Sequence, residues 1–232
     1  MARLPHNLRT LTSENAKDAL YVDFEGLGRR RDGTSPRPTF LGVLHKSSYS
    51  GLIFEEELSS WSRGSTGFPG PRTIRTDMNL AILELVEAAA AEDRLILYFS
   101  QHEKEMIEAH CSREVAEAFQ LQSANAKLLI QRWANTRPVQ VPEESTLEDF
   151  CRLARIPCPQ PPEPGVAETI RRLRRACSRI SRWSHHSPAH QELTRELFTY
   201  NRDDCRALQL LTIKATKYFE PRVRPIGQNP VD

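Results

Sequence analysis

The chain has 232 residues, 39% of them hydrophobic, enough for one generous domain or for a core with an inserted subdomain. Its 32 lysines and arginines against 30 acidic residues leave a formal charge of +2, so the molecule is not a polycation. Any nucleic-acid surface has to come from local clustering of arginine. No stretch approaches 18 uninterrupted apolar residues, and the opening Met1-Ala2-Arg3-Leu4-Pro5-His6-Asn7 lacks the apolar run of a signal peptide. Cys111, Cys151, Cys158, Cys177 and Cys205 are scattered and form no C-x-x-C pair, against a disulfide framework or a structural zinc. The expectation is a reduced, cytoplasmic protein with no membrane segment.

Residues 1–18 read as a polar lead-in, with Thr12-Ser13-Glu14 capping one short helix. A first strand is expected over about 19–25. Tyr21, Val22 and Phe24 have its β-branched and aromatic character, and Gly26 ends the run. Asp23 and Glu25, two residues apart, project from one face of that strand. Adjacent carboxylates repel, and an apolar strand is a costly place for them. Either that face is solvated or a cation sits on it, and clustered carboxylate oxygens suit Mg²⁺ or Mn²⁺. The loop that follows, Gly26 to Pro38, carries Arg29, Arg30, Arg31 and Arg37.

Strands near 39–45 and 49–55, joined by the short Lys46-Ser47-Ser48, complete an antiparallel meander. Residues 59–76 are rich in Gly, Ser and Pro and read as a long loop. Asp77 then caps a helix to about Ala91, with Leu80, Leu83, Val86 and Ala90 on one face. The continuous apolar run Leu95-Ile96-Leu97-Tyr98-Phe99 predicts a strand covered on both sides, as in parallel pairing. Ser100 caps the next helix, which bears His102, Glu103, Met106 and Ile107. Glu103 thus falls in the first turn after a buried strand, where ligands collect in open sheets.

The second half is mostly helical. Ser112 to about Gln122 is amphipathic, whereas Lys127 to Trp133 fits an edge strand or a helix. Ser145, with Glu148 at capping-box spacing, opens a helix through about Arg155. Pro157, Pro159, Pro161, Pro162 and Pro164 make a rigid spacer. A helix from about Ala167 carries Arg171, Arg172, Arg174, Arg175 and Arg179, which either track phosphates or form a solvated face. The last helix is expected from about Pro188 to Tyr218, with a disordered tail after Pro221. On it, Tyr200 and Asp204 are i and i+4 and share one face; that spacing favours Asp204 over its neighbour Asp203. His185, His186 and His190 have no cysteine or acidic partner at zinc-finger spacing. Trp61, Trp133 and Trp183 fit core packing or base stacking.

D-x-E at Asp23 and Glu25, the aromatic-Ser-x-x-Glu of Phe99-Ser100-Gln101-His102-Glu103, and Y-x-x-x-D at Tyr200 and Asp204 occur in a telling order. They resemble the DEDD superfamily of 3′–5′ exonucleases, and more closely its branch of predicted RNase H-like nucleases, often joined to nuclease or helicase modules. Ser145-Thr146-Leu147-Glu148-Asp149-Phe150 also looks like that branch's helix after the fifth strand. The resemblance spans roughly Ala19 to Leu211. It implies one RNase H-like α/β domain over 1–232, with its core at about 19–218. That fold is a mixed five-stranded sheet, three antiparallel strands first, flanked by helices.

The implied activity is two-metal hydrolysis of single-stranded or frayed DNA or RNA, with Mg²⁺ or Mn²⁺ as the ions. Asp23, Glu25, Glu103 and Asp204 are implied as ligands, with Asp23 bridging the ions and Tyr200 orienting the attacking water. Arg29, Arg30, Arg31, Arg171, Arg172 and Arg175 would contact nucleic acid, and protein partners from a larger nuclease or helicase system are implied too. Most members carry Asp at the position of Glu103, one methylene shorter. A binding module that has lost catalysis and an endonuclease of the same fold are the alternatives.

Overall fold

The computed structural model describes residues 4–28, 33–64, 66–138, 142 and 144–220. Two short helices, α1 (His6–Arg9) and α2 (Ser13–Asp18), lead into strand β1 (Leu20–Glu25). The Thr12 hydroxyl caps α2 by accepting from the Asn15 N–H. Strands β2 (Phe40–His45) and β3 (Ser48–Ile53) follow as an antiparallel meander, turning at Lys46-Ser47 with Lys46 at φ 56°. In its register Asp23 faces Gly42 and Gly42 faces Gly51.

The long loop expected over 59–76 is more ordered than its composition suggests. It holds the end of a 3-10 helix (Glu56–Ser62) and a short strand, β4 (Arg72–Ile74), parallel to β3. Arg72 anchors the segment, donating to the carbonyls of Trp61 and Gly70 with its guanidinium 3.4 Å from the centre of the Phe68 ring. A three-residue strand is too short to print a period-2 pattern.

Helix α3 (Met78–Ala91) is capped by Asp77, as its sequence indicates, but it buries a different face. Met78, Ala81, Ile82, Val86 and Ala89 are inside, while Leu80 is 48% exposed. Both sets satisfy a helical period, and the sheet decides between them. Strand β5 (Ile96–Tyr98) is parallel to β1, then come α4 (Gln101–His110) and α5 (Arg113–Gln122). The edge strand β6 is Ser123–Asn125, parallel to β5; Lys127–Ala134 is helix α6. The mixed sheet therefore has six strands, not five, in the order β4-β3-β2-β1-β5-β6.

Helix α7 (Leu147–Ala154) starts one residue later than its sequence suggests. Its capping box pairs Thr146 with Asp149, whose Oδ2 accepts from the Thr146 N–H and hydroxyl. Helix α8 (Val166–Cys177), a 3-10 turn (Trp183–His185) and the 32-residue helix α9 (Pro188–Phe219) complete the fold. Among the described residues, no helix is long and apolar enough to cross a membrane. The tail after Pro221 lies outside the described residues.

The sheet has a core on each face, and β1 shows why. Leu20, Val22 and Phe24 pack with Met78, Ile82, Val86 and Phe119 of α3 and α5. Tyr21 joins the opposite core, with Phe40, Tyr49, Leu197, Phe198, Cys205 and Leu208. Alternation puts Asp23 and Glu25 in phase with Tyr21, so both acids point to the side covered by α9. Two mid-strand glycines let α9 approach. A Cβ at Gly51 would lie 2.7 Å from the Phe198 ring, and one at Gly42 would overlap Asn201. Phe198, fully buried 4.5 Å from Phe40 between ring centroids, anchors the helix, a contribution of about 1.5–3 kcal/mol by burial alone.

Candidate carboxylate site

Three segments distant in sequence converge beside β1. Asp23 and Glu25 come from the strand, Asp204 comes from the middle of α9, and Glu103 comes from the first turn of α4. One oxygen each from Asp23, Glu25 and Asp204 lies within 4.8 Å of the others. Glu25 and Glu103 are almost fully buried, while Asp23 and Asp204 are half-buried.

Burial in a low-dielectric setting penalises each charged form, and the neighbouring carboxylates add to the penalty. Asp23 is pushed well above the usual carboxylate range by burial, then by Glu25, Asp204 and Glu103. Burial and Asp204 push Glu25 up to about 8, although hydrogen bonds from Asn201 and Asp23 favour its charge. Asp204 rises to about 7, chiefly by burial, while the Tyr200 hydroxyl bonded to it acts in the opposite direction. Without a cation, this group holds protons at neutral pH.

Tyr200 and Asp204 meet as their spacing requires. Burial and the Asp204 charge raise the Tyr200 hydroxyl far above its ordinary value, so it is a neutral donor and no proton acceptor. Asp203 pairs with Arg202 at 2.7 Å and stands outside the converging trio, though its charge adds to the rise of Asp204.

Glu103 has a second task. Its Oε2 accepts from the Ser100 N–H at 3.0 Å and the Ser100 hydroxyl at 2.8 Å, making the reciprocal cap of α4. It acts electrostatically on Asp23, Glu25 and Asp204 but stands outside the trio whose oxygens converge.

The arginines expected at the site divide. Arg29, Arg30 and Arg31 lie outside the described residues. Arg171, Arg172 and Arg175 are on the outer face of α8, each ion-paired to Glu168, at 3.3, 3.7 and 3.2 Å. Arg174 reaches inward, donating to the Thr39 hydroxyl and pairing with Glu55. Because the Thr39 N–H bonds the Glu25 carbonyl, Arg174 is the α8 arginine connected to the end of β1.

Among the remaining candidates, the His186 ring bonds the Ser60 hydroxyl, and His190 bonds Ser187. Trp61 and Trp133 are core residues, and Trp183 packs on Phe68. A cavity of about 600 Å³, lined in part by Asp18, Lys46 and Arg94, sits beyond the opposite end of β1 and shares no residue with the carboxylates.

Asn201 is the member that sequence reasoning passed over. Fully buried, its Nδ2 donates to Asp23 Oδ2 at 2.7 Å and the Asp23 carbonyl at 3.2 Å, and reaches Glu25 Oε1 at 3.5 Å. Its signal was present: it is i+4 from Leu197 and i−4 from Cys205, a polar residue on an apolar stripe.

The donor set fits a hard divalent cation, with carboxylate oxygens of three residues close enough to converge on one ion. Comparison with known proteins yields no matching family model, no significant match among curated proteins and none among solved structures.

Proposed function

We propose that the chain is an RNase H-like domain acting as a metal-dependent 3′–5′ exonuclease on single-stranded or frayed nucleic acid. One observation carries the reading. Asp23, Glu25 and Asp204 bring oxygens within 4.8 Å in a buried setting, with Tyr200 bonded to Asp204 one turn away. Two buried and two half-buried carboxylates crowded together would be costly to charge without a cation, and a nuclease centre gives them a use.

In this reading Asp23, Glu25 and Asp204 would hold one Mg²⁺ or Mn²⁺, and Glu103 would serve a second. Divalent cations held this way stabilise charge on phosphate oxygens and activate water for in-line attack. Tyr200, a neutral donor one turn from Asp204, would orient the attacking water rather than deprotonate it. Asn201 holds Asp23 and Glu25. Arg171, Arg172 and Arg175, with the basic segment Arg29 to Arg31, track the phosphates of the strand.

The hydrogen bonds of Glu103 to its own helix cap favour a second reading, a nucleic-acid-binding module with impaired catalysis. Incubating 5′-labelled single-stranded DNA and RNA with Mn²⁺, against EDTA and Asp23→Ala controls, separates the two. A metal-dependent ladder shortening from the 3′ end, absent in the variant, supports the exonuclease. Strand binding without cleavage supports the binding module, and cutting of a circular substrate points to an endonuclease.

A further inference from the structure

We propose that Asn201 is a positioning residue: its amide sets the orientation of Asp23 and Glu25, and Tyr49 with Gly42 sets the orientation of the amide. The inference rests on reading Asp23, Glu25 and Asp204 as a divalent-metal site. The neighbours of Asn201 leave its amide one way round. The Asp23 carbonyl is an acceptor at any pH, and Asp23 Oδ2 and Glu25 Oε1 are acceptors when the carboxylates hold a cation, so the NH₂ group must face them. On the other side the Tyr49 hydroxyl donates to Asn201 Oδ1 at 2.7 Å. Reversal would set an oxygen against three acceptors in a buried site, at a heavy desolvation cost.

The space for this arrangement is built in. Asn201 Oδ1 stands where a Cβ of residue 42 would be, 1.6 Å from the ideal position, and the Tyr49 ring lies 3.0 Å from the same point. Gly42 is also the residue opposite Asp23 in the β1–β2 register, so the lock sits directly beside the carboxylate it serves. A tie that only packed α9 on the sheet would need the Tyr49 hydroxyl and the Asp23 carbonyl. Contacts to both side-chain carboxylates go beyond that need. They fasten one oxygen of Asp23 and one of Glu25 to a single neutral donor, and Asn201 does not engage the second oxygen of either. Groups that orient metal ligands in this way typically change metal affinity by about 10–100-fold when removed.

The test is Mn²⁺ titration of the full chain, followed by electron paramagnetic resonance, with metal-free melting recorded for each protein. Asn201→Leu keeps the branched shape, though not the volume, and removes the donor, so Mn²⁺ affinity should fall about tenfold or more. Tyr49→Phe should weaken binding less. In the double variant Tyr49→Phe should cost no further Mn²⁺ affinity, because it acts through Asn201, while metal-free melting reads the packing contribution of the pair separately. Wild-type affinity in Asn201→Leu, or losses that simply add in the double variant, would overturn the proposal. Should Asn201→Leu fail to fold, Tyr49→Phe carries the test, and unchanged Mn²⁺ affinity there overturns it. If the wild type binds no Mn²⁺, the metal-site reading itself falls and this inference with it, an outcome distinct from failure of the variants alone.

Discussion

Asn201 lies so close to Gly42 that a Cβ at position 42 would stand 1.6 Å from its Oδ1. Glycine is required there for space and not for an unusual backbone angle. Gly42→Ala must push α9 off the sheet or turn the amide of Asn201 away from Asp23. The expected loss of stability is about 1–3 kcal/mol, typical of overpacking. Thermal melting will measure it. Mn²⁺ affinity should fall in parallel, and a variant with wild-type melting and metal binding would contradict the close approach.

The carboxylates make stability depend on pH in a defined direction. The folded-state pKa values of Asp23, Glu25 and Asp204 are raised, so their stabilising contribution is present below about pH 4. It is lost as pH rises through about 7 for Asp204 and about 8 for Glu25. In EDTA, the melting temperature should therefore decline between pH 5 and 9 beyond what an Asp23→Asn variant shows. Each pKa unit corresponds to ~1.4 kcal/mol, so the combined effect is on the order of a few kcal/mol. Added Mn²⁺ should restore stability most at the alkaline end, where protons no longer compete. Identical pH profiles for the wild type and Asp23→Asn would remove the basis for this prediction.

Tyr200→Phe deletes the hydroxyl that bonds Asp204 and leaves the ring packed. Turnover should fall by about 10²-fold, the lower range for a group that places a reacting water. Mn²⁺ affinity should stay near that of the wild type, since the carboxylates remain. Rates and titrations on one preparation separate these effects, and a large loss of metal binding would make Tyr200 a support of the site instead.

Glu103 can be split into its two tasks. Glu103→Gln keeps an oxygen able to accept from Ser100, so α4 retains its cap and melting should change little. Glu103→Ala removes the Glu103 half of the capping box while the Ser100 hydroxyl still accepts from the His102 N–H, and should cost about 1 kcal/mol or less. Both should depress cleavage if the carboxylate serves a second ion. Full activity in Glu103→Gln would confine the residue to capping.

Much of this architecture is written locally. The meander, the caps at Asp77 and Ser100, a strand within the apolar run Leu95 to Phe99 and the face shared by Tyr200 and Asp204 all follow from short-range rules of period and hydrogen bonding. Hence Asp23, Glu25 and Asp204 could be singled out before any fold was known. Features set by contact between distant segments were less legible. The strands at Arg72–Ile74 and Ser123–Asn125 are three residues each and exist because neighbouring strands offer free edges. The helical period of Met78–Ala91 allowed two buried faces, and only the sheet beneath selected Ala81, Ile82, Val86 and Ala89.

Strand and helix periods are properties of the backbone, so local sequence is enough to put the carboxylates of β1 on one face and to bring Tyr200 to Asp204. Only contact between distant segments lays α9 on that face and makes Asn201 bridge Asp23 and Glu25. Those outcomes depend on the side-chain volumes of residues more than 150 positions apart, Gly42 and Asn201 among them, and no local period encodes such a distance.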